Sequence, residues 1–141
     1  MNSLEDVAKR LVARREHTRL ELTKKLVVRG FTPDDVDTLL NDFEEKGWLD
    51  ERRYIDIFLR AKRCRYGILK LIRELEVRGI SRDLIDEFRP CIQSGELNAA
   101  QGVWQKRFGI QAKNSTELAK QIRFMQSRGF EQEVIKSVVN G

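Results

Sequence analysis

Apolar residues recur along most of the chain at the three- and four-residue intervals of an amphipathic helix. The clearest runs are Leu4, Val7, Ala8, Leu11 and Val12; Val36, Leu39, Leu40 and Phe43; Tyr54, Ile57, Phe58 and Ala61; and Ile68, Leu71, Ile72 and Leu75. No stretch alternates apolar and polar residues as a half-buried strand does. The pattern therefore predicts an all-α fold.

A short motif punctuates these runs three times. Arg29-Gly30-Phe31, Arg78-Gly79-Ile80 and Arg128-Gly129-Phe130 place their glycines 49 and 50 residues apart. Glycine adopts a positive φ at little cost and often ends a helix, with the apolar residue after it packed on the one four residues before it. The predicted apolar pairs are Leu26 with Phe31, Leu75 with Ile80, Met125 with Phe130 and, around Gly47, Phe43 with Trp48. We predict four helix ends of one kind.

Helix starts can likewise be predicted, from capping residues. Four residues able to cap a helix are followed three positions later by an acid: Ser3 with Asp6, Thr18 with Glu21, Thr32 with Asp35, and Asn114 with Glu117. Pro33 falls where a first-turn proline is tolerated. Starts and stops together predict tandem units of three helices.

The units are predicted to span residues 1–47, 48–94 and 95–141. Pro90–Gly95 should break the chain between the second and third units, and the first helix of the third, Leu97–Phe108, carries Gly102 inside it. A unit of about 45 residues buries too little apolar surface to be stable alone. We therefore expect the three units to stack end to end into an elongated, curved rod.

Charge is segregated by helix. There are 27 lysines and arginines against 22 aspartates and glutamates, a formal net charge of +5. Lys9–Arg29 carries eight cations and two acids, Pro33–Glu45 is strongly acidic, and Arg52–Arg65 is basic again. Such blocks can be a merely solvated surface. We favour the interpretation that they face a polyanion or an acidic partner, because their density exceeds what solubility requires.

The candidate contact residues are ten arginines and lysines drawn from those two basic blocks, since an arginine fork suits carboxylate or phosphate. They are Arg14, Arg15, Arg19, Lys24, Lys25, Arg52, Arg53, Arg60, Arg63 and Arg65.

Residues that could support catalysis are few. His17 is the only histidine, Cys64 and Cys91 are the only cysteines, and metal-ligand spacings, glycine-rich phosphate loops and nucleophile elbows do not occur. We expect His17 and Glu21 to fix a helix junction, the thiols to be reduced and packed as small hydrophobes, and both tryptophans to lie in the core. The interpretation is a binding protein with no enzymatic activity, no metal and no cofactor.

A membrane protein is not expected. No stretch approaches the roughly 18 consecutive apolar residues of a spanning helix, and the first residues show neither a basic nor an apolar leader segment. We expect a cytoplasmic protein.

A helix-turn-helix DNA-binding module is the alternative interpretation, because a helix, a glycine turn and a further helix recur. The helices that would enter the major groove begin with acids, as at Asp34-Asp35 and Asp83, which would repel phosphate. Leu26, Leu75 and Met125 also stand where a small residue is usual. A stand-alone DNA-binding module is therefore the runner-up.

Two segments resemble a known family. Arg14–Arg19 with Glu21-Leu22, and Gly47–Tyr54, are similar to the bacterial RecX family of regulatory proteins. Tyr66–Ile68, then Ile72, Glu74-Leu75 and Arg78–Ile80 fit that family's second repeat, while the last third resembles it mainly through Arg128–Phe130. Glu51 replaces a common aspartate, and Tyr54-Ile55 a more usual Phe-Ala pair.

The resemblance implies a small all-helical protein that binds the RecA recombinase filament on single-stranded DNA. It would lodge in the filament groove as a monomer, with DNA as a further possible contact, and suppress ATPase, strand exchange and promotion of repressor cleavage.

Overall fold

A computed structural model of the chain describes residues 3–140, and all its regular secondary structure is helical. The helices, numbered in chain order, are α1 Leu4–Arg14, α2 Arg19–Val28, α3 Pro33–Glu45, α4 Glu51–Lys62, α5 Ile68–Val77, α6 Arg82–Arg107, α7 Ser115–Ser127 and α8 Gln132–Val139.

The helix starts predicted from the four caps and the helix ends predicted from the four glycines are confirmed. All four cap residues accept a hydrogen bond from the backbone N–H three positions on, and Thr18 with Glu21 forms a reciprocal capping box. Gly30, Gly47, Gly79 and Gly129 have positive φ. After each, the next residue donates its N–H to the carbonyl of its predicted apolar partner, as from Ile80 to Leu75 at 3.1 Å. Local sequence therefore determines most helix ends.

The predicted break over Pro90–Gly95 is wrong. The described chain has eight helices because α6 runs without interruption from the second unit into the third. Its apolar stripe stays in register across the proline: Ile85 and Ile92 pack in one core, and Ala100 lies in the next. Packing on both sides outweighs the local cost of Pro90, which lies on the exposed face of the helix.

Three separate hydrophobic cores follow one another along the chain. The first unit packs around Leu22, Leu26, Leu40 and Phe43, the second around Ile55, Ile68, Leu71 and Leu75, and the third around Met125, Phe130 and Ile135. Tandem three-helix organisation is therefore confirmed. The unit limits at 47 and 94 stay predictions, because α6 serves both later cores.

The molecule is extended. Its accessible surface is 9001 Å², whereas a compact protein of 16.5 kDa exposes about 7,600 Å². Among the described residues, hydrogen bonds and ion pairs join unit 1 to unit 2 and unit 2 to unit 3, and none joins unit 1 to unit 3. Both observations agree with end-to-end stacking.

Four side chains lie nearer the surface than expected. Trp48 packs edge-on against Phe43 but is 41% exposed, so its assignment to the core is wrong. Trp104 is half-buried on the third core, and its Nε1 donates to Gln121 Oε1. Cys64 and Cys91 are free thiols as expected, but they are exposed instead of packed.

Candidate interaction surface

A basic cleft lies between α1 and α2 at the end of the first unit. Two adjoining concavities of about 300 and 410 Å³ share Leu11, Arg14 and Arg29 in their walls. Further lining residues are Val7, Arg10, Lys24, Lys25 and Val28. No carboxylate lines either concavity, so the cleft combines an apolar floor with cationic walls. We call these eight residues the α1/α2 cleft.

The five cations of the α1/α2 cleft have no carboxylate partner among the described residues. Val28, which lies beside them, is 85% exposed. Arg14, Lys24 and Lys25 were predicted from sequence, whereas Arg10 and Arg29 were not part of the candidate set. The helical spacing of Arg10 and Arg14, one turn apart on α1, is the signal that could have found Arg10.

Lys25 is held in place by a buried histidine. His17 is 3% exposed, its Nδ1 lies 2.9 Å from the Arg15 carbonyl oxygen and its Nε2 lies 3.0 Å from Lys25 Nζ. Since a carbonyl only accepts, Nδ1 carries the proton and Nε2 accepts from the ammonium. Burial lowers the pKa of His17, and the charge of Arg15 lowers it further. Burial also lowers the pKa of Lys25, beside the same arginine.

Four of the predicted contact arginines are paired with acids of the chain itself. Arg15 Nη2 lies 3.5 Å from Glu21, and Arg53 Nε lies 2.9 Å from Glu16. Arg19 binds both Glu44, at 2.7 Å, and Asp37. Arg52 forms a bidentate pair with Glu87. Arg19 joins α2 to α3, and Arg52 joins α4 to α6. Arg53 joins α4 to the link between α1 and α2, and Arg15 joins that link to α2.

The remaining three predicted residues lie at the end of α4 or near it. Arg60 is exposed. Arg63 donates from Nη2 to the Cys91 carbonyl on α6 at 3.2 Å, and Arg65 donates to the Ala61 carbonyl at 3.2 Å. The structure thus divides the candidate set into the free cations of the cleft, the paired arginines, and these three.

The two junctions between units follow one scheme. The turn after the second helix of one unit lies against the N-terminus of the second helix of the unit before it. At the first junction, Thr18 Oγ1 donates to the Arg78 carbonyl at 2.6 Å. At the second, the backbone N–H of Gly67 donates to the Arg128 carbonyl at 2.8 Å. The repeated Arg-Gly motif therefore ends a helix and also seats a neighbour.

Two further charged features support the junctions. Glu96, 4% exposed on α6, accepts a 2.8 Å hydrogen bond from the Ile68 backbone N–H at the start of α5. Burial raises the pKa of this carboxyl, against the opposing effect of that hydrogen bond. Glu51 similarly accepts from the Arg19 backbone N–H at 2.9 Å. Each of these two acids therefore caps the N-terminus of a helix other than its own.

A second basic surface, of which only Arg65 was predicted from sequence, lies at the junction of units 2 and 3. We call it the junction strip, and it consists of Arg65, Tyr66, Lys70, Arg107, Phe124 and Arg128. Arg128 Cζ lies 5.4 Å from the ring centre of Tyr66 and 5.1 Å from that of Phe124. Its residues come from four parts of the chain, the link between α4 and α5, α5, α6, and α7 with its C-cap. No local sequence pattern therefore predicts this surface.

The described residues hold neither a metal-binding cluster nor a membrane-spanning helix. No group of three or more histidine, cysteine, aspartate or glutamate side chains is placed to hold a metal ion. None of the described helices is both long enough and apolar enough to cross a bilayer.

Known proteins resemble this chain in sequence and in fold. Residues 6–43 match the family model described as the first three-helix domain of RecX, and residues 95–139 match its third three-helix domain. Regulatory protein RecX of Ralstonia nicotianae (strain ATCC BAA-1114 / GMI1000) is 35% identical over 130 residues, which cover 92% of this chain and 82% of that protein. Regulatory protein RecX of Pseudomonas fluorescens (strain SBW25) is 39% identical over 134 residues, which cover 93% and 86%.

Solved structures agree on the fold. The crystal structure of RecX from Lactobacillus salivarius superimposes with a TM-score of 0.83 at 14% identity, covering 97% of this chain and 92% of that one. A second crystal structure of regulatory protein RecX gives a TM-score of 0.77 at 17% identity, covering 98% and 73%.

The fold and the two basic surfaces define an all-α tandem-repeat protein whose units are joined through helix ends. Its sequence relatives over nearly the whole chain carry the name regulatory protein and not that of an enzyme. The chain belongs to the RecX family of regulatory proteins.

Proposed function

We propose that this protein regulates the RecA recombinase by binding the RecA filament on single-stranded DNA. It lies in the helical groove of the filament as a monomer in the cytoplasm and lowers ATPase, strand exchange and promotion of repressor cleavage. Membership of the RecX family supports RecA as the partner. The extended stack of units supports binding along a groove.

The observation that carries the proposal is the α1/α2 cleft with its five free cations. In the paired arginines, the chain's own acids already satisfy the charge. The cleft cations have no such partner, and exposed Val28 adds apolar contact area beside them. An acidic protein surface or a phosphate would supply the missing charge, and arginine forks bind either in a bidentate manner.

A binding protein without catalytic chemistry can still switch a filament off. If the extended molecule contacts adjacent RecA subunits, it binds best to the filament geometry that matches its own spacing. A ligand shifts a conformational equilibrium by its difference in affinity for the two states. Inhibition of all three filament activities then follows from one preferred geometry.

The test compares two double charge reversals of equal size. Arg14→Glu with Lys24→Glu removes charge from the α1/α2 cleft, and Arg82→Glu with Lys113→Glu does so elsewhere. All four residues are exposed and lack an ion pair, and Arg82 and Lys113 lie at helix N-termini, where an acid is tolerated. The readout is inhibition of the single-stranded-DNA-dependent ATPase of RecA, with helical circular dichroism as a check of folding.

We expect the cleft variant to need about tenfold more protein or greater for half-inhibition, since contact charges at interfaces commonly contribute that much. The matched control should inhibit like the unaltered protein. Full inhibition by the cleft variant at moderate salt would remove the α1/α2 cleft from the interface.

A stand-alone DNA-binding module is tested with the same material. Such a module binds bare duplex DNA with a steep dependence on salt, whereas a filament regulator needs the filament for tight binding. The acids Asp34 and Asp35 at the start of α3, and the pairing of Arg19 with α3, argue against α3 as a groove-reading helix.

A further inference from the structure

The junction strip alternates cations with aromatic rings over one continuous surface. Lys70 Nζ lies 4.7 Å from the ring centre of Tyr66, and Arg128 lies between Tyr66 and Phe124. Arg107 Cζ lies 4.9 Å from the Phe124 ring centre. Arg65 Cζ adds a further cation 5.7 Å from Tyr66. The charges are thereby held at fixed places on ring faces instead of on freely moving chains.

Backbone contacts hold the two halves of the strip together. The N–H of Gly67 donates to the Arg128 carbonyl at 2.8 Å, and the N–H of Leu69 donates to the Gly129 carbonyl at 3.0 Å. Arg128 Nη1 also donates to the Arg65 carbonyl at 3.4 Å. Because these bonds involve the main chain of both units, the strip is organised before any ligand arrives, which reduces the ordering cost of binding.

None of the four cations forms an ion pair with a carboxylate within residues 3–140. By contrast, Lys62 and Arg78, which lie near Phe58 in the neighbouring core, share Glu74. Four like charges in one cluster repel one another, and an anionic ligand removes that cost.

We propose that the junction strip binds single-stranded nucleic acid, as a contact surface separate from the α1/α2 cleft. Its cations meet successive phosphates, and unpaired bases stack on the guanidinium planes that already lie over the Tyr66 and Phe124 rings. Single strands fit because their bases are free to stack, whereas in a duplex they are paired inside the helix. An acidic polypeptide would meet the charges but has no bases to stack on these guanidinium planes.

The inference goes beyond the proposed function, because binding at the strip requires no RecA. The test therefore uses the full chain and a labelled oligothymidylate alone, followed by fluorescence anisotropy at several salt concentrations. Lys70→Glu with Arg107→Glu reverses two strip charges while sparing Arg128, which helps to hold the junction. Arg82→Glu with Lys113→Glu is the matched control, because both residues lie outside the two basic surfaces.

We expect the dissociation constant of the strip variant to rise about tenfold or more, since it loses two phosphate contacts. The plot of log affinity against log salt should become shallower by about 1.4, because each single-strand phosphate contact contributes about 0.7. The control variant should bind like the unaltered protein. If the reversal changes the circular dichroism, Lys70→Ala with Arg107→Ala repeats the test without adding charge.

Three results would overturn the proposal: unchanged oligothymidylate binding by a folded strip variant, tighter binding of duplex than of single strand, or equal displacement of the oligonucleotide by polyglutamate at the same charge concentration. A weaker RecA inhibition by the cleft variant, with oligonucleotide binding intact, would support both surfaces separately. If the cleft variant loses RecA inhibition while neither the unaltered protein nor any variant binds bare single strands, the proposed function is retained and single-strand binding at the junction strip is rejected.

Discussion

Thr18 Oγ1 donates a 2.6 Å hydrogen bond to the carbonyl oxygen of Arg78, 60 residues later in the chain. The same hydroxyl accepts from the Glu21 backbone N–H at 3.2 Å, so it caps α2 and joins unit 1 to unit 2 at once. Thr18 is fully buried. One side chain therefore links a local helix start to the stacking of units.

Thr18→Val should destabilise the protein by about 2 to 4 kcal/mol, because it removes a helix cap and leaves a buried carbonyl without a partner. Thr32→Val is the matched control: Thr32 caps α3 in the same way but makes no contact between units, so about 1 kcal/mol is expected. Urea unfolding measures both. Equal losses would mean that the bond to Arg78 adds nothing to stability.

Gly67→Ala should also weaken the molecule, for a steric reason. Gly67 has an ordinary φ of −87°, but a Cβ there would overlap the backbone of Gly129 and Phe130. Separation of these main chains should cost about 1 to 3 kcal/mol. The measurement is again the free energy of unfolding in urea.

Gly102→Ala is the control for that substitution. Gly102 lies inside α6, and a Cβ there meets nothing within 4 Å. We expect it to stabilise the protein by about 0.5 to 1 kcal/mol, since alanine is the better helix former. If both alanines had the same effect, close approach at the second junction would not be what requires Gly67.

The buried imidazole of His17 predicts that stability depends on pH near neutrality. Burial lowers the pKa of His17 below its ordinary value of 6.5, so the unfolded chain takes up a proton more readily than the folded one. The contribution to stability is therefore complete above pH 6.5 and is lost as pH falls through the folded pKa. Protonation would also make Nε2 a hydrogen-bond donor, which would then face another donor, the Lys25 ammonium.

The measurement is the unfolding free energy of the unaltered protein and of His17→Gln from pH 7.5 down to 5. The difference between the two proteins isolates the effect of His17. Burial raises the pKa of Glu51 and of Glu96, but these carboxyl groups are present in both proteins. Their effect on stability has the opposite sign, because the stability they contribute is lost as pH rises. A difference that stays constant with pH would contradict the assignment of a neutral, buried His17.

The sequence predicts features that depend on residues close together in the chain and misses features that depend on tertiary packing. The caps and the glycine stops are fixed by residues within five positions of each other, and the structure confirms them. The fate of Pro90 depends on two cores that α6 serves, which no local pattern encodes. Likewise, the acids that bind Arg19 lie 18 and 25 residues away, so a count of charges along the chain shows a free arginine where the fold has made a pair.

Pro90→Ala should stabilise the protein, because the proline lies inside a continuous helix and removes one of its hydrogen bonds. A gain of about 1 to 3 kcal/mol is expected in urea unfolding, below or at the full cost of an interior proline. Pro33→Ala should bring no gain, since Pro33 occupies the first turn of α3, where its missing N–H has no helical partner anyway. A loss of stability in Pro90→Ala would show that the helix needs the proline.

Arg19 and Arg14 were predicted to have the same role, and the structure separates them. Arg19 holds α2 on α3 through Glu44 and Asp37, whereas Arg14 lies free in the α1/α2 cleft. Arg19→Glu should therefore lower the melting temperature, at a cost of about 1 kcal/mol or more from the lost pairs and new repulsion. Arg14→Glu should leave it unchanged yet weaken inhibition of RecA. Charge exchange provides the decisive control: Arg19→Glu combined with Glu44→Arg and Asp37→Asn should recover both stability and inhibition, because the pair then attracts in the opposite orientation and the Asp37 carboxylate no longer opposes it. If stability returns and inhibition does not, Arg19 itself contacts the partner, and the division between paired and free arginines is wrong at that residue.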